Sequence, residues 1–211
     1  MRQIMVLNAK GGSGKTTLAT NLASYYASKG KNVVLADFDQ QGSSMAWLAA
    51  RSAARPPIKG VAAHKDSFRP SRNTDVVIMD APAAVHGSAL TNLVRRAETI
   101  IVPVLASPVD MRAATDFIGE LRANRRISSK QAKIALVANR ARFVTNIYWE
   151  LEEFLDKQKA PFLTALRDSQ NYIRAAERGL GVFEMAPYAT DFDREQWEPV
   201  IKWLNSKRSQ P

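Results

Sequence analysis

The feature that most restricts the fold lies near the start of the chain. An apolar run, Gln3–Leu7, passes directly into NAKGGSGKTT, residues 8–17, and then into the helical pattern Lys15–Lys29. A strand feeding a glycine turn and a helix is the first half of a β-α-β unit. Four further apolar runs follow, at Asn32–Ala36, Asp75–Met79, Thr99–Leu105 and Lys133–Ala138. They are nearly continuous rather than alternating, as strands covered on both faces are. Helical patterns separate them, at Ser43–Arg51, Gly87–Ala97, Met111–Arg126 and Asn146–Gln158. This rhythm predicts an α/β fold, a doubly wound, mostly parallel sheet with helices on both faces. Asn8, Asp37, Asp80 and Asn139 each close a predicted strand, so they should converge at the carboxyl ends, where such sheets hold ligands.

Composition narrows the classes. The 211 residues predict one domain over 1–208, with 209–211 as a frayed tail. No cysteine is present, which excludes disulfides, zinc thiolates and iron–sulfur clusters. The longest apolar run, Ile100–Ala106, is interrupted by Pro103 and is too short for a bilayer. MRQIMVLNAKGG enters a strand at once and does not resemble a signal peptide, so the expectation is a soluble cytoplasmic protein. Thirty Lys and Arg against twenty Asp and Glu give a net charge of +10. That balance suits a polyanionic partner, DNA or an acidic membrane, or simply a basic enzyme. Ala53–Thr74, with three prolines, is the expected irregular loop. Trp197, Val200, Ile201 and Leu204 form one face of a closing helix, with Pro199 expected in its first turn.

The pattern G-x-x-x-x-G-K-[ST] ends at Gly14-Lys15-Thr16, although Ala9 stands at its opening glycine. Gly11, Gly12 and Gly14 allow the backbone around Ser13 to turn its N–H groups toward phosphate oxygens. Lys15 would meet the β- and γ-phosphates, Thr16 would ligate Mg²⁺, and Thr17 would approach the α-phosphate. The alternative is a plain glycine turn before a helix. Lys10 is a second lysine in the same loop, beyond what the pattern needs.

KGGSGKT, Lys10–Thr16, resembles the deviant Walker A motif of the ParA/MinD ATPases, P-loop NTPases whose hallmark is this early lysine. The resemblance implies that Lys10 reaches across a two-fold homodimer to the partner's ATP, much as an arginine finger does. DFDQQGSS, Asp37–Ser44, resembles the family's second motif, with Gln40 where relatives carry proline. It implies that Asp39 orients or deprotonates the attacking water, that Asp37 supports the metal's water shell, and that Gln41 belongs to the dimer switch. VVIMDAP, Val76–Pro82, reads as a buried strand delivering Asp80 to Mg²⁺, with Pro82 in a second switch loop. In PVLASPVD the resemblance puts Asp110 near the dimer interface, and it puts Asn139 and Arg140 beside the adenine with Pro187 on the other side. Helix capping by Asp37 or Asp39, and a turn at Asp80, are the plainer readings.

The match runs through nearly the whole chain and is similar to the small, ParF-like members. It implies a slow, Mg²⁺-dependent ATPase that positions or segregates cargo on the nucleoid, its hydrolysis of ATP to ADP stimulated by a ParB-like or cargo adaptor protein. The cargo is open: a plasmid or chromosome, or an assembly such as a carboxysome or chemoreceptor cluster. Arg167, Arg174 and Arg178 fall where the family contacts double-stranded DNA without sequence specificity, and Lys202 adds charge from the closing helix. Arg122, Arg125 and Arg126 form another basic group, equally readable as charge at a helix end. Two other classes stay in play. One is a MinD-like membrane-cycling regulator using Trp197, Trp203 and Leu204 with their flanking cations. The other is a synthetase on the same fold, against which Lys10 argues.

Overall fold

The computed structural model describes residues 1–65 and 68–211. Among them one sheet of seven strands runs in the order β3-β2-β4-β1-β5-β6-β7, with every neighbouring pair parallel. The amino-terminal half comprises β1 (Arg2–Val6), α1 (Lys15–Ser28), β2 (Val33–Asp37), α2 (Ser43–Ala49), β3 (Ile58–Val61), β4 (Val76–Asp80) and α3 (Gly87–Val94). Then come β5 (Thr99–Leu105), α4 (Pro108–Ala123), α5 (Arg125–Ser128), β6 (Lys133–Ala141), α6 (Asn146–Asp156), β7 (Phe162–Arg167), α7 (Gln170–Ala176) and α8 (Pro187–Leu204).

The continuous apolar runs are explained by a core on each side of the sheet. In β1, Met5 packs in a layer with Leu90 of α3, Phe117 of α4 and Leu151 of α6. Its neighbours Ile4 and Val6 pack in the opposite layer with Leu22 of α1, Trp47 of α2 and Trp197 of α8. Successive side chains point to opposite faces, so both sets must be apolar. Each fully buried large side chain contributes roughly 1.5–3 kcal/mol. The central β1 pairs with β4 on one side and β5 on the other, which leaves its carboxyl end at the reversal of strand order.

Several expectations need correction. The stretch expected to be irregular contains β3, an edge strand paired to β2; Asp66 and Ser67 of that stretch lie outside the described residues. The predicted helix ending at Arg126 breaks at Asn124, whose side chain caps α5 by accepting from the Arg126 N–H. The closing helix begins at Pro187, so Pro199 lies inside it rather than in its first turn. Pro199 and Glu195, whose carbonyl loses its partner, both face solvent, where water replaces the missing bond. The expected frayed tail is partly pinned. Ser209 is fully buried, its carbonyl accepts from Thr99 Oγ1 at 2.6 Å, and its hydroxyl accepts from Arg2 at 3.0 Å. Of the residues considered for lipid, Trp197 and Leu204 are buried and Trp203 is half-buried against the same core, so that face is occupied from inside. No helix among the described residues is long and apolar enough to cross a membrane.

Candidate nucleotide-binding site

The four strand-ending residues converge as expected, and all four are buried. Asn8 donates from Nδ2 to the Pro103 carbonyl at 2.7 Å, and its Oδ1 accepts from the Lys10 N–H at 2.9 Å. The Lys10 carbonyl in turn accepts from Lys15 Nζ at 3.1 Å. Both ends of the Lys10 peptide are therefore held, while its side chain is exposed and makes no ion pair among the described residues. The loop after β4 closes on the same glycine turn, since Ala84 N–H donates to the Ala9 carbonyl at 2.7 Å.

Gly12 and Gly14 have φ of 75° and 91°, the left-handed region that glycine enters without steric cost. Gly14 has a second constraint. A Cβ there would lie 2.0 Å from Asn139 Nδ2, because that amide crosses from β6 to donate to the Ser13 carbonyl at 2.9 Å. Asn139 thus braces the glycine turn from the neighbouring strand end. The first turn of α1 holds no acidic residue, so its partial positive charge is left uncompensated where an anion would sit. Burial lowers the pKa of the Lys15 ammonium, while Asp80 and then Asp39 act to raise it.

The acidic residues divide by role. Asp37 and Asp80 are register partners on β2 and β4. Asp37 is fully buried; its oxygens accept from the N–H groups of Asp39 at 2.9 Å and Met45 at 3.3 Å, which ties the motif loop to the start of α2. The capping reading of Asp37 therefore holds whatever else it does. Asp39 is half-buried, and its Oδ1 accepts from the Gln41 N–H at 2.9 Å. Asp80 is different. Both of its oxygens are buried without a hydrogen-bond partner among the described residues. Burial, with Asp37 and Asp39 nearby, pushes its pKa up to about 7, while Thr16 and Lys15 oppose the rise. The Thr16 hydroxyl is close enough to temper the shift without forming a bond of good geometry.

An orphaned carboxylate beside Thr16 is the environment a hard cation relieves, so the residues present fit Mg²⁺. Among the described residues no three His, Asp or Glu side chains gather into a closed metal cage.

Beside the glycine turn lies a cavity of about 300 Å³ lined by Gly12, Gly14, Thr17, Asn139, Arg167 and Tyr172, among others. A second, of about 310 Å³, is bounded by Ser107, Asp110, Arg142 and Thr145. Arg140 and Asp168 line both. Asp168 pairs with Arg140 at 3.4 Å and Arg142 at 3.1 Å, and Arg140 takes a φ of 51°. Asp110 sits in the first turn of α4 and bonds to its N-cap Ser107 through side chain and backbone. Pro187 starts α8 in an exposed position and does not line the cavity beside Asn139. Gln41 is exposed and Pro82 half-buried.

Two of the basic residues are ion-paired within the chain. Arg167 forms a two-pronged pair with buried Asp193 at 2.6 and 3.1 Å and covers the Phe192 ring, 5.0 Å from its centroid. Lys202 pairs with Glu198 at 2.9 Å. Arg174 and Arg178 are exposed without an acidic partner among the described residues. Sequence reading passed over β7 and Asp168. The signal was the short run FLTALR after Pro161, followed by Asp168-Ser169 at a strand end.

The sequence profile of the CobQ/CobB/MinD/ParA nucleotide binding domain matches residues 4–182. A relative from Halothiobacillus neapolitanus, "Maintenance of carboxysome distribution protein A", is 29% identical over 190 residues, covering 86% of this chain and 87% of its own. The solved structure of apo McdA from Cyanothece superposes with a TM-score of 0.80 at 15% identity, covering 97% of this chain and all of its own. A plasmid partition protein from Borrelia burgdorferi bound to AMPPNP gives 0.72 at 16%, covering 95% and 98%. At those identities the solved structures speak for the fold alone, whereas the profile spans most of the chain: the protein belongs to the CobQ/CobB/MinD/ParA nucleotide-binding domain family.

Proposed function

We propose that this chain is a Mg²⁺-dependent ATPase of the ParA type that closes into a homodimer around ATP, holds nucleoid DNA without sequence specificity, and positions a cargo through an adaptor protein. The observation that carries the reading is Lys10. Its backbone is clamped at both ends, yet its ammonium is exposed and has no carboxylate partner among the described residues. A cation fixed at its root and free at its tip can be delivered to the triphosphate of a second subunit. Exposed apolar side chains also support an interface. Val109, Val144, Trp149, Ile173, Tyr188 and Phe192 are exposed large apolar residues. Val109, Val144 and Ile173 lie a few residues beyond the carboxyl ends of β5, β6 and β7, and Trp149 lies in α6. A partner covering this end would remove that surface from water.

Within one subunit the roles follow from position. The N–H groups of residues 11–16 and the start of α1 would bind the phosphates, with Lys15 turning from the Lys10 carbonyl toward them. Thr16 and Asp80 would hold Mg²⁺, with Asp37 fixing the loop behind them. When bound, the ion neutralises charge on the phosphate oxygens. Asp39, oriented by the Gln41 N–H, would align the attacking water, and positioning supplies most of the rate. The cavity beside Asn139 is the place for the base. Gln41, Pro82 and Asp110 would respond to the partner subunit. Arg174 and Arg178 would contribute phosphate contacts. The carboxysome-distribution name of the Halothiobacillus relative supports a positioning role, and the kind of cargo stays open.

The test is mass measurement by light scattering with ATP and Mg²⁺. Wild type is expected to dimerise, and Lys10→Ala to bind ATP but stay monomeric. A variant that dimerises like wild type removes Lys10 from the interface.

A further inference from the structure

We propose that the end of the sheet opposite the nucleotide is a binding surface for the sugar–phosphate backbone of DNA, built by α3, α4 and α5 around Arg95, Arg122 and Arg125. The inference rests on the DNA retention proposed above and names a surface that reading did not use. Arg95 and Arg96 lie just before β5, and Arg125, Arg126, Lys130 and Lys133 lie just before or at the start of β6. They therefore gather at the amino ends of strands whose carboxyl ends form the nucleotide site.

A cleft of about 630 Å³ opens here, lined by Thr91, Arg95, Ala123, Asn124, Arg125 and Arg126. Arg126 lines it, donating to the carbonyls of Arg95 at 3.0 Å and Gln131 at 3.1 Å, with Nε buried and lacking an acceptor among the described residues. Arg95, Arg96, Arg122, Arg125 and Lys130 are exposed, and none pairs with a carboxylate among the described residues. The nearby acids are engaged elsewhere: Glu98 pairs with Arg2 at 3.0 Å, and Glu120 with His86 and the Gly87 N–H, each at 2.7 Å. Favourable charge at the end of α4 accounts for Arg122 and the carbonyl contacts account for Arg126. Neither accounts for Arg95, Arg96, Arg125 and Lys130 being left together unneutralised.

The chemistry selects among polyanions. Protein interfaces depend on buried aromatic or aliphatic anchors, and lipid surfaces on inserted ones. Here the exposed large hydrophobics fall around the carboxyl ends of the strands or on α8, apart from Met1. Guanidinium groups without apolar anchors match phosphate oxygens, which confer affinity and salt sensitivity but no sequence preference. By contrast, Arg167 and Lys202 are already ion-paired. In a dimer closed nucleotide end to nucleotide end, the two surfaces would face outward, each open to a separate stretch of duplex.

The experiment measures binding of a fluorescent DNA duplex by anisotropy across a KCl series with ATP and Mg²⁺. It compares wild type, the triple variant Arg95→Glu/Arg122→Glu/Arg125→Glu, and the pair Arg174→Glu/Arg178→Glu. The triple variant is expected to lose at least about tenfold in affinity, with a slope of log K against log salt shallower by about 2.7, near 0.9 for each lost phosphate contact. Its circular dichroism and ATP turnover should match wild type, and the glutamine triple variant serves if the glutamates impair folding. A slope within about one of wild type overturns the proposal. So does a larger loss in the α7 pair, or binding of anionic vesicles in place of duplex. Monomeric Lys10→Ala separates the two readings: weak duplex binding that still responds to the triple substitution keeps this surface even if ATP-driven dimerisation fails.

Discussion

Asp80 gives the most demanding check on the site. Its folded-state pKa is raised from 3.8 to about 7, chiefly by burial. Between those values the folded protein holds a proton that the unfolded chain has released, so stability falls as pH rises through that window. It is fully present below 3.8 and lost above about 7. At about 1.4 kcal/mol per decade of pKa, the buried charge costs on the order of 4 kcal/mol at pH 8. Asp80→Asn keeps the shape and removes the charge, although its amide inherits the lack of partners. The nucleotide-free variant should therefore be more stable than wild type by roughly 2–4 kcal/mol at pH 8, converging with it toward pH 4. Urea unfolding with a chelator present, run at intervals across that range, measures the difference. Subtracting one protein from the other cancels carboxylates with the opposite trend, such as Asp168, whose pKa its arginine neighbours lower. The same variant should lose Mg²⁺-dependent nucleotide affinity. A variant no more stable than wild type at pH 8 would refute the idea that this carboxylate is buried awaiting a cation.

Gly14→Ala should destabilise by about 2–4 kcal/mol, from left-handed strain and the collision with Asn139; adding Asn139→Ala should recover part of that in a thermal-melt cycle, and strict additivity would exclude the contact. Arg51 and Glu184 form a pair 4% and 3% exposed at 2.6 Å, so Glu184→Ala should cost roughly 3–5 kcal/mol in urea unfolding, and a loss under about 1 kcal/mol would show the pair to be dispensable. Asp39→Ala should bind ATP and dimerise but release phosphate at least about 100-fold more slowly in a steady-state assay, whereas normal turnover would take Asp39 out of the mechanism.

Residue order was enough to reveal the parallel sheet, because strands buried on both faces must be apolar at every position, and Met5 beside Ile4 and Val6 records that directly. It was enough for the glycine turn too, since Gly12 and Gly14 answer to backbone geometry that is local in the chain. β7 was harder to see because an edge strand needs less apolar length, and Pro199 misled because its cost depends on whether the freed carbonyl meets water. Charge was the least legible property. Thirty basic residues are counted in the sequence, but whether each is neutralised depends on contacts between distant segments. Arg167 meets Asp193 and Arg51 meets Glu184 only when the chain is folded, while Arg95 and Arg125 are left without an acidic partner among the described residues. Backbone preference and hydrophobic period act between near neighbours and survive in one dimension; pairing, burial and the isolation of the Asp80 carboxylate arise from distances that only packing sets.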